Sequence, residues 1–123
     1  MALKFKGQRG RNGCTVEVSR DDGKSYVSLP LYITWVNHSP TGFEWGYYGS
    51  GPSQLAYAIM HRYFVYGMGL SDEEAHERAS KLYMQFKRDV IGVIRNDKWD
   101  LDESEIAHWL KFAEKDQEQT IDK

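Results

Sequence analysis

The densest concentration of residues able to do chemistry runs from Gly42 to Gln54, reading Gly-Phe-Glu-Trp-Gly-Tyr-Tyr-Gly-Ser-Gly-Pro-Ser-Gln. Four of the eleven glycines fall within ten residues there, interleaved with four aromatics, directly before a stretch that reads as a helix. Gly49, Ser50 and Gly51 let backbone N–H groups face outward, and a helix N-terminus adds partial positive charge. Together they make a seat for a phosphate or carboxylate, with the Ser50, Ser53 and Gln54 side chains in reach. The same residues also read as a tight strand-to-helix turn that needs glycine in order to pack. No lysine follows the glycines as in a Walker loop, and the Gly-x-Gly-x-x-Gly spacing of a dinucleotide fingerprint is missing. Phe43, Trp45 and Tyr47 alternate, which suits either the core face of a strand or a platform on which a base stacks. Trp45 and Tyr47 are the candidates for the second role.

Other chemistry is thinner. His38, His61, His76 and His108 lack the spacings of a metal site. His38 with Glu44 forms a conceivable acid–base pair, but no nucleophile or orienting group accompanies it. Ser50 lies in Gly-Ser-Gly and not in a Gly-x-Ser-x-Gly elbow, so an enzyme is the minority reading. Lys87, Arg88, Arg95 and Asn96 crowd the end of a later helix, where cations complement the helix dipole. Phe86 sits on that helix's apolar stripe and is expected in the core. Arg62 interrupts the inward face of the first helix, as a snorkelled or salt-bridged cation or one facing a subunit interface.

The elements that must position these residues follow from pattern. Residues 3–6 and 15–19 alternate as strands, and Asp21-Asp22-Gly23-Lys24 turns the chain into a third at 26–29. Alternation continues through Leu29, Leu31, Ile33 and Trp35, with Pro30 marking an edge or bulge. Residues 37–42 read as a loop and 43–48 as another strand. A helix is expected from Gly51-Pro52 to about Tyr66, stopped by Gly67 and Gly69. Ser71 with Glu74 caps a second helix, along which Ala75, Ala79, Leu82, Tyr83, Phe86, Val90, Val93 and Ile94 form a stripe. Asp102 with Glu105 caps a third, with Ile106, Trp109, Leu110 and Ala113 inward. The fold class is α+β: a small antiparallel sheet followed by and packed against three helices. Residues 1–115 form one domain and 116–123 a frayed acidic tail.

Length and charge bound the function. The 123 residues fit one domain, and 41% hydrophobic and 14% aromatic residues supply a core without disulfides. No apolar run is long enough to span a membrane, and the N-terminal residues lack the apolar segment of a secretory signal. The single cysteine, Cys14, fits a reducing cytoplasm. Residues 1–62 carry +3, residues 63–101 carry −1 and residues 102–123 carry −4, for the net −2. That near-neutral balance argues against binding long DNA or RNA and leaves a small anionic ligand open.

The run Asn37-His38-Ser39-Pro40-Thr41-Gly42-Phe43-Glu44-Trp45-Gly46-Tyr47, continuing as Gly49-Ser50-Gly51-Pro52-Ser53-Gln54-Leu55-Ala56, resembles the signature of the phage anti-Thoeris sponge proteins, first type. Leu82-Tyr83, Phe86-Lys87, Val90-Ile91 and Trp99 also fit, so the likeness spans most of residues 37–110. Tyr48 departs from it, standing where that family normally has glycine. The resemblance implies a protein without catalysis or cofactor that captures cyclic ADP-ribose isomers made by bacterial TIR immune enzymes. It implies dimers assembling into hexamers in the host cytoplasm, with the signal bound at subunit interfaces. It further implies that cyclic trinucleotides bind separately in some members, and Arg62 is the candidate for such a second anionic site. On this reading Gly49, Ser50, Gly51, Ser53 and Gln54 hold the pyrophosphate. Trp45, Tyr47 or Phe86 sandwich the adenine, and Arg88 or Asn96 bond ribose hydroxyls.

Overall fold

Alternation of apolar and polar residues builds the sheet first. The computed structural model describes the backbone of residues 2–121 and side chains of residues 2–115. Strand β1 (Lys4–Gly10) pairs antiparallel with β2 (Gly13–Ser19) on one side and with β4 (Lys98–Asp102) on the other; β3 (Val27–Ser28) extends β2. The sheet order is β3-β2-β1-β4. Phe5 stands opposite both Val18 and Leu101, and Gly7 opposite Val16 and Trp99, so one face is apolar. Lys6, Gln8, Glu17, Lys98 and Asp100 occupy the other.

Gly7 is required by packing. A Cβ there would lie 2.3 Å from the Trp99 indole, which crosses the strand at that point. Gly7→Ala is therefore expected to cost about 1–3 kcal/mol through overpacking. Denaturant unfolding with a shifted Trp emission checks this, and an unchanged midpoint would refute it.

The helices are α1 (Ser50–Arg62), α2 (Asp72–Phe86) and α3 (Glu103–Ile121). Both α1 and α2 end in five-residue π-helical turns, Tyr63–Gly67 and Lys87–Ile91. Residues 51–64 are all buried, so α1 is a central helix enclosed on every face. Around it the core gathers the inner sheet face, Ala75, Ala79, Leu82 and Phe86 of α2, and Ile106, Leu110 and Ala113 of α3. Ser71 and Glu74 cap each other reciprocally at the start of α2, as the sequence signature requires. Asp102 and Glu105 do the same for α3.

Four expectations change. The alternation through Ile33 and Trp35 forms no strand: residues 33–35 make a turn that leaves both side chains partly exposed. Pro30 has no N–H to offer a ladder, and Tyr32 takes a left-handed φ of 59° that breaks extended geometry. Residues 43–48 are likewise irregular. Gly46, at φ 88°, bends the chain where Ile94 O comes within 2.9 Å of where a Cβ would sit. Thirdly, β4 comes between α2 and α3, so the sheet does not precede all the helices; Lys98-Trp99-Asp100-Leu101-Asp102 carried the alternation that marks it. Finally, the backbone of α3 stays helical through Ile121, past residue 115 where the sequence reading began a frayed tail. Residues 122 and 123 of that tail lie outside the described residues.

Candidate functional site

The first turn of α1 starts from Gly49, whose extended backbone (φ −115°, ψ −165°) caps the helix with no side chain. No acidic residue lies in that turn to answer the positive end of the helix dipole. Ser53 closes the turn, its Oγ donating to Gly49 O at 3.0 Å. Against that hydroxyl lies Lys87 Nζ, donating at 3.1 Å from a side chain left only 9% exposed. Among the described residues no carboxylate comes within ion-pair range of this ammonium. The ammonium thus sits against the first turn of α1, at the positive end of its dipole.

Lys87 reaches this spot from the regular end of α2, its N–H still donating to Tyr83 O. It is also the first residue of the widened turn, which Gly92 N closes by donating to Lys87 O at 2.8 Å. Lys87 is buried while Arg88 and Asp89 stay exposed. Arg88 and Asp89, with Lys87, Tyr48 and Met84, line a cleft of about 540 Å³. Tyr48 lies against Gly92, where a Cβ would sit 2.3 Å from the ring. Tyr47 similarly covers Gly49 at 2.4 Å. Both rings remain half exposed or more, at 50% for Tyr47 and 59% for Tyr48. Asp89 is engaged elsewhere, accepting from Trp109 Nε1 at 2.9 Å.

The residues singled out in the sequence divide. Tyr47, Gly49, Ser50, Ser53 and Arg88 are brought to this corner. Trp45 is not: it is 1% exposed, donates Nε1–H to Asn96 O at 3.0 Å, and packs edge-on against Trp99. Gly51 is buried against the Glu44 side chain. Asn96 has an exposed side chain but contributes its carbonyl to Trp45 and does not line the cleft. Gln54 is fully buried, donating to Leu31 O and Val36 O and accepting from His38 N and Ser39 N. Its amide is saturated by the 31–39 segment.

Phe86 is fully buried, edge-on to Trp109 at 4.9 Å. Phe86→Ala is therefore expected to destabilise the fold by about 3–5 kcal/mol. Thermal unfolding reads this directly. A variant that melted normally but lost ligand would instead place the ring at a binding seam.

Nearby charges are structural. Arg9 spans Glu44 at 2.6 Å, Asp97 at 2.9 Å and Trp45 O at 3.0 Å. Burial pushes the Glu44 carboxyl up, but the Arg9 guanidinium, the Cys14 thiol and the Trp45 amide outweigh it and hold it below its usual range. Burial raises the Cys14 thiol. His38 pairs with the Tyr83 hydroxyl at 2.7 Å and not with Glu44. Arg62 is 9% exposed, and its Nε finds no hydrogen-bond partner among the described residues. Its guanidinium lies 4.2 Å from the Tyr66 ring centroid, which Arg20 approaches at the same distance.

Sequence reasoning missed Lys87 and Tyr48 as site residues. A lysine directly after the apolar Phe86 gave a faint signal, but only the packing of α2 against α1 decides what it meets.

A model of a family of unknown function, DUF6166, matches residues 5–112, from β1 into α3. The chain belongs to this family. The DUF6166 match takes in the whole sheet, the α1 corner and the π-helical turn bearing Lys87. No curated protein and no solved structure matches the chain.

Proposed function

We propose that this DUF6166 protein is a non-catalytic sponge for a cyclic ADP-ribose isomer, blocking Thoeris antiphage defence in the host bacterial cytoplasm. The observation that carries the reading is Lys87, an ammonium buried against the N-terminal turn of α1 with no carboxylate partner among the described residues. A pyrophosphate there answers both the lysine and the helix dipole, which otherwise repel. Tyr48 and Tyr47 offer exposed ring faces to the adenine, each stacked base contributing about 1–3 kcal/mol. Arg88, on the cleft wall, reaches ribose or phosphate oxygens.

A sponge must outcompete the receptor, so its affinity is near nanomolar, about −12 kcal/mol. The cleft is open on one side. A second copy of the chain closing it supplies the enclosure such affinity needs, in line with the dimers and hexamers of the family this sequence resembles. Arg62, buried with an unpartnered Nε, is the seat for a second anion such as a cyclic trinucleotide.

Incubation with cyclic ADP-ribose isomers, followed by denaturation, tests the reading. Intact nucleotide released in stoichiometric amount supports the sponge. A converted product accumulating over many turnovers identifies an enzyme. Flat calorimetric titrations with every isomer, while a host protein co-purifies, identify an interaction module.

A further inference from the structure

A hydrogen-bonded chain through the centre of the molecule plays no part in the ligand corner. His61 of α1 is fully buried, and its Nε2 lies 2.8 Å from Oδ1 of Asp72, the first residue of α2. Its Nδ1 lies 3.0 Å from the Tyr57 hydroxyl, one turn earlier in α1. That hydroxyl lies 2.6 Å from Nδ1 of His76 in α2.

Proton counting gives this chain a direction. A carboxylate oxygen only accepts, so Nε2 of His61 carries the hydrogen and donates it to Asp72. In the neutral ring, whose one hydrogen is on Nε2, Nδ1 is bare. That nitrogen accepts the Tyr57 proton. Burial pushes the Tyr57 phenol well above its usual range, so the hydroxyl keeps its one proton. With that proton given to His61, the 2.6 Å contact with His76 requires Nδ1 of His76 to be the donor. Neutral His76 then has no hydrogen on Nε2.

We infer that Asp72, His61 and Tyr57 hold His76 in its Nδ1–H tautomer and present its Nε2 as a proton-accepting site on α2. His76 is half-buried, and Ser80 Oγ, at 3.5 Å, is the sole described hydrogen-bond neighbour of that nitrogen. The Trp35 indole, 36% exposed, lies 5.1 Å from the His76 ring and walls one side. The site fits a group that donates a hydrogen bond or proton, such as a hydroxyl, an amide or an ammonium, carried on an apolar body that rests on Trp35.

The surrounding groups keep the chain in place. Tyr32 stacks on His61 at 4.5 Å and takes a long 3.4 Å contact from Arg62 Nη1 on its hydroxyl. Tyr83 meets Tyr57 edge-on, and its own hydroxyl is paired with His38. Asp72 is the one carboxylate bonded to the chain among the described residues. Proton uptake at Nε2 gives a His76 imidazolium whose Nδ1–H still donates to Tyr57, so no bond in the chain has to reverse. Asp72, His61 and Tyr57 are positioning residues.

Two-bond ¹H–¹⁵N spectra of the imidazoles at pH 8 test this directly. The expected pattern is a bare Nε2 with a protonated Nδ1 at His76, and the opposite pattern at His61. In Tyr57→Phe, His76 should revert to the Nε2–H form that dominates in water, while His61 keeps its pattern. A hydrogen on Nε2 of His76 in the unmodified protein overturns the assignment, as does a His76 pattern indifferent to Tyr57→Phe. Should Tyr57→Phe fail to fold, the spectrum of the unmodified protein decides alone.

Discussion

Lys87→Met is expected to cut affinity for a cyclic ADP-ribose isomer by about 10- to 100-fold while leaving the protein as stable as before or more so. The binding loss follows from removing a charge-assisted hydrogen bond, about 1.5–3 kcal/mol, at tenfold per 1.4 kcal/mol. The stability effect has the opposite sign. An ammonium 9% exposed, bonded to one serine hydroxyl and, among the described residues, to no carboxylate, has given up most of its hydration for little return. Methionine fills similar space with no charge to desolvate. Ser53 keeps its bond to Gly49 O in the variant, so the helix start survives. Calorimetric titration paired with thermal unfolding separates the two effects. A lower melting temperature with affinity intact would make Lys87 a packing residue and remove the main support for the proposed function.

The second large effect concerns Gln54. Its amide holds four backbone groups of the 31–39 segment at 2.6, 2.8, 2.7 and 3.0 Å. Gln54→Leu keeps the volume and leaves two carbonyls and two N–H groups without partners. At about 1–3 kcal/mol for each of the four groups left dry, the loss is on the order of 4–12 kcal/mol. That is a large share of the 5–15 kcal/mol that typically holds a domain together. Expected are a melting temperature lowered by more than about 15 °C and loss of amide-exchange protection across residues 31–39. Should the variant melt normally yet fail to bind nucleotide, Gln54 would be the ligand residue that the family resemblance implies, and its bracketing role would be wrong.

How much was legible varied with the range of the interaction. Caps were readable because they are local: Ser71 with Glu74, and Asp102 with Glu105, satisfy each other within one turn whatever surrounds them. The α2 stripe held from Ala75 to Phe86 for the same reason, as Ala75, Ala79, Leu82 and Phe86 share a face by helical geometry alone, whereas Val93 lies past the helix end and is exposed. Strand pairing was harder. Ile33 and Trp35 alternate properly, yet alternation cannot show that Gln54, distant in sequence, takes the carbonyls of Leu31 and Val36 that a ladder would need. At the candidate site the glycine-rich corner was visible. Its cation was not, because Lys87 follows the apolar Phe86 at the end of a regular α-helix, and only the packing of α2 against α1 brings its ammonium to Ser53.

Composition, periodicity and capping alone thus determined an α+β domain, the three helix starts and a glycine-rich corner before α1. Tertiary structure decided which aromatics are free to stack: Trp45 went into the core and Tyr48 onto the surface, although both lie in one short run. It also decided that Gln54 faces a backbone segment and that Lys87 meets Ser53 in the first turn of α1 with no counter-charge among the described residues. The physical reason is that propensity and hydrogen bonding within a turn are set by neighbours in the chain. Burial and charge pairing are set by groups dozens of residues away, which only the closed core brings into range.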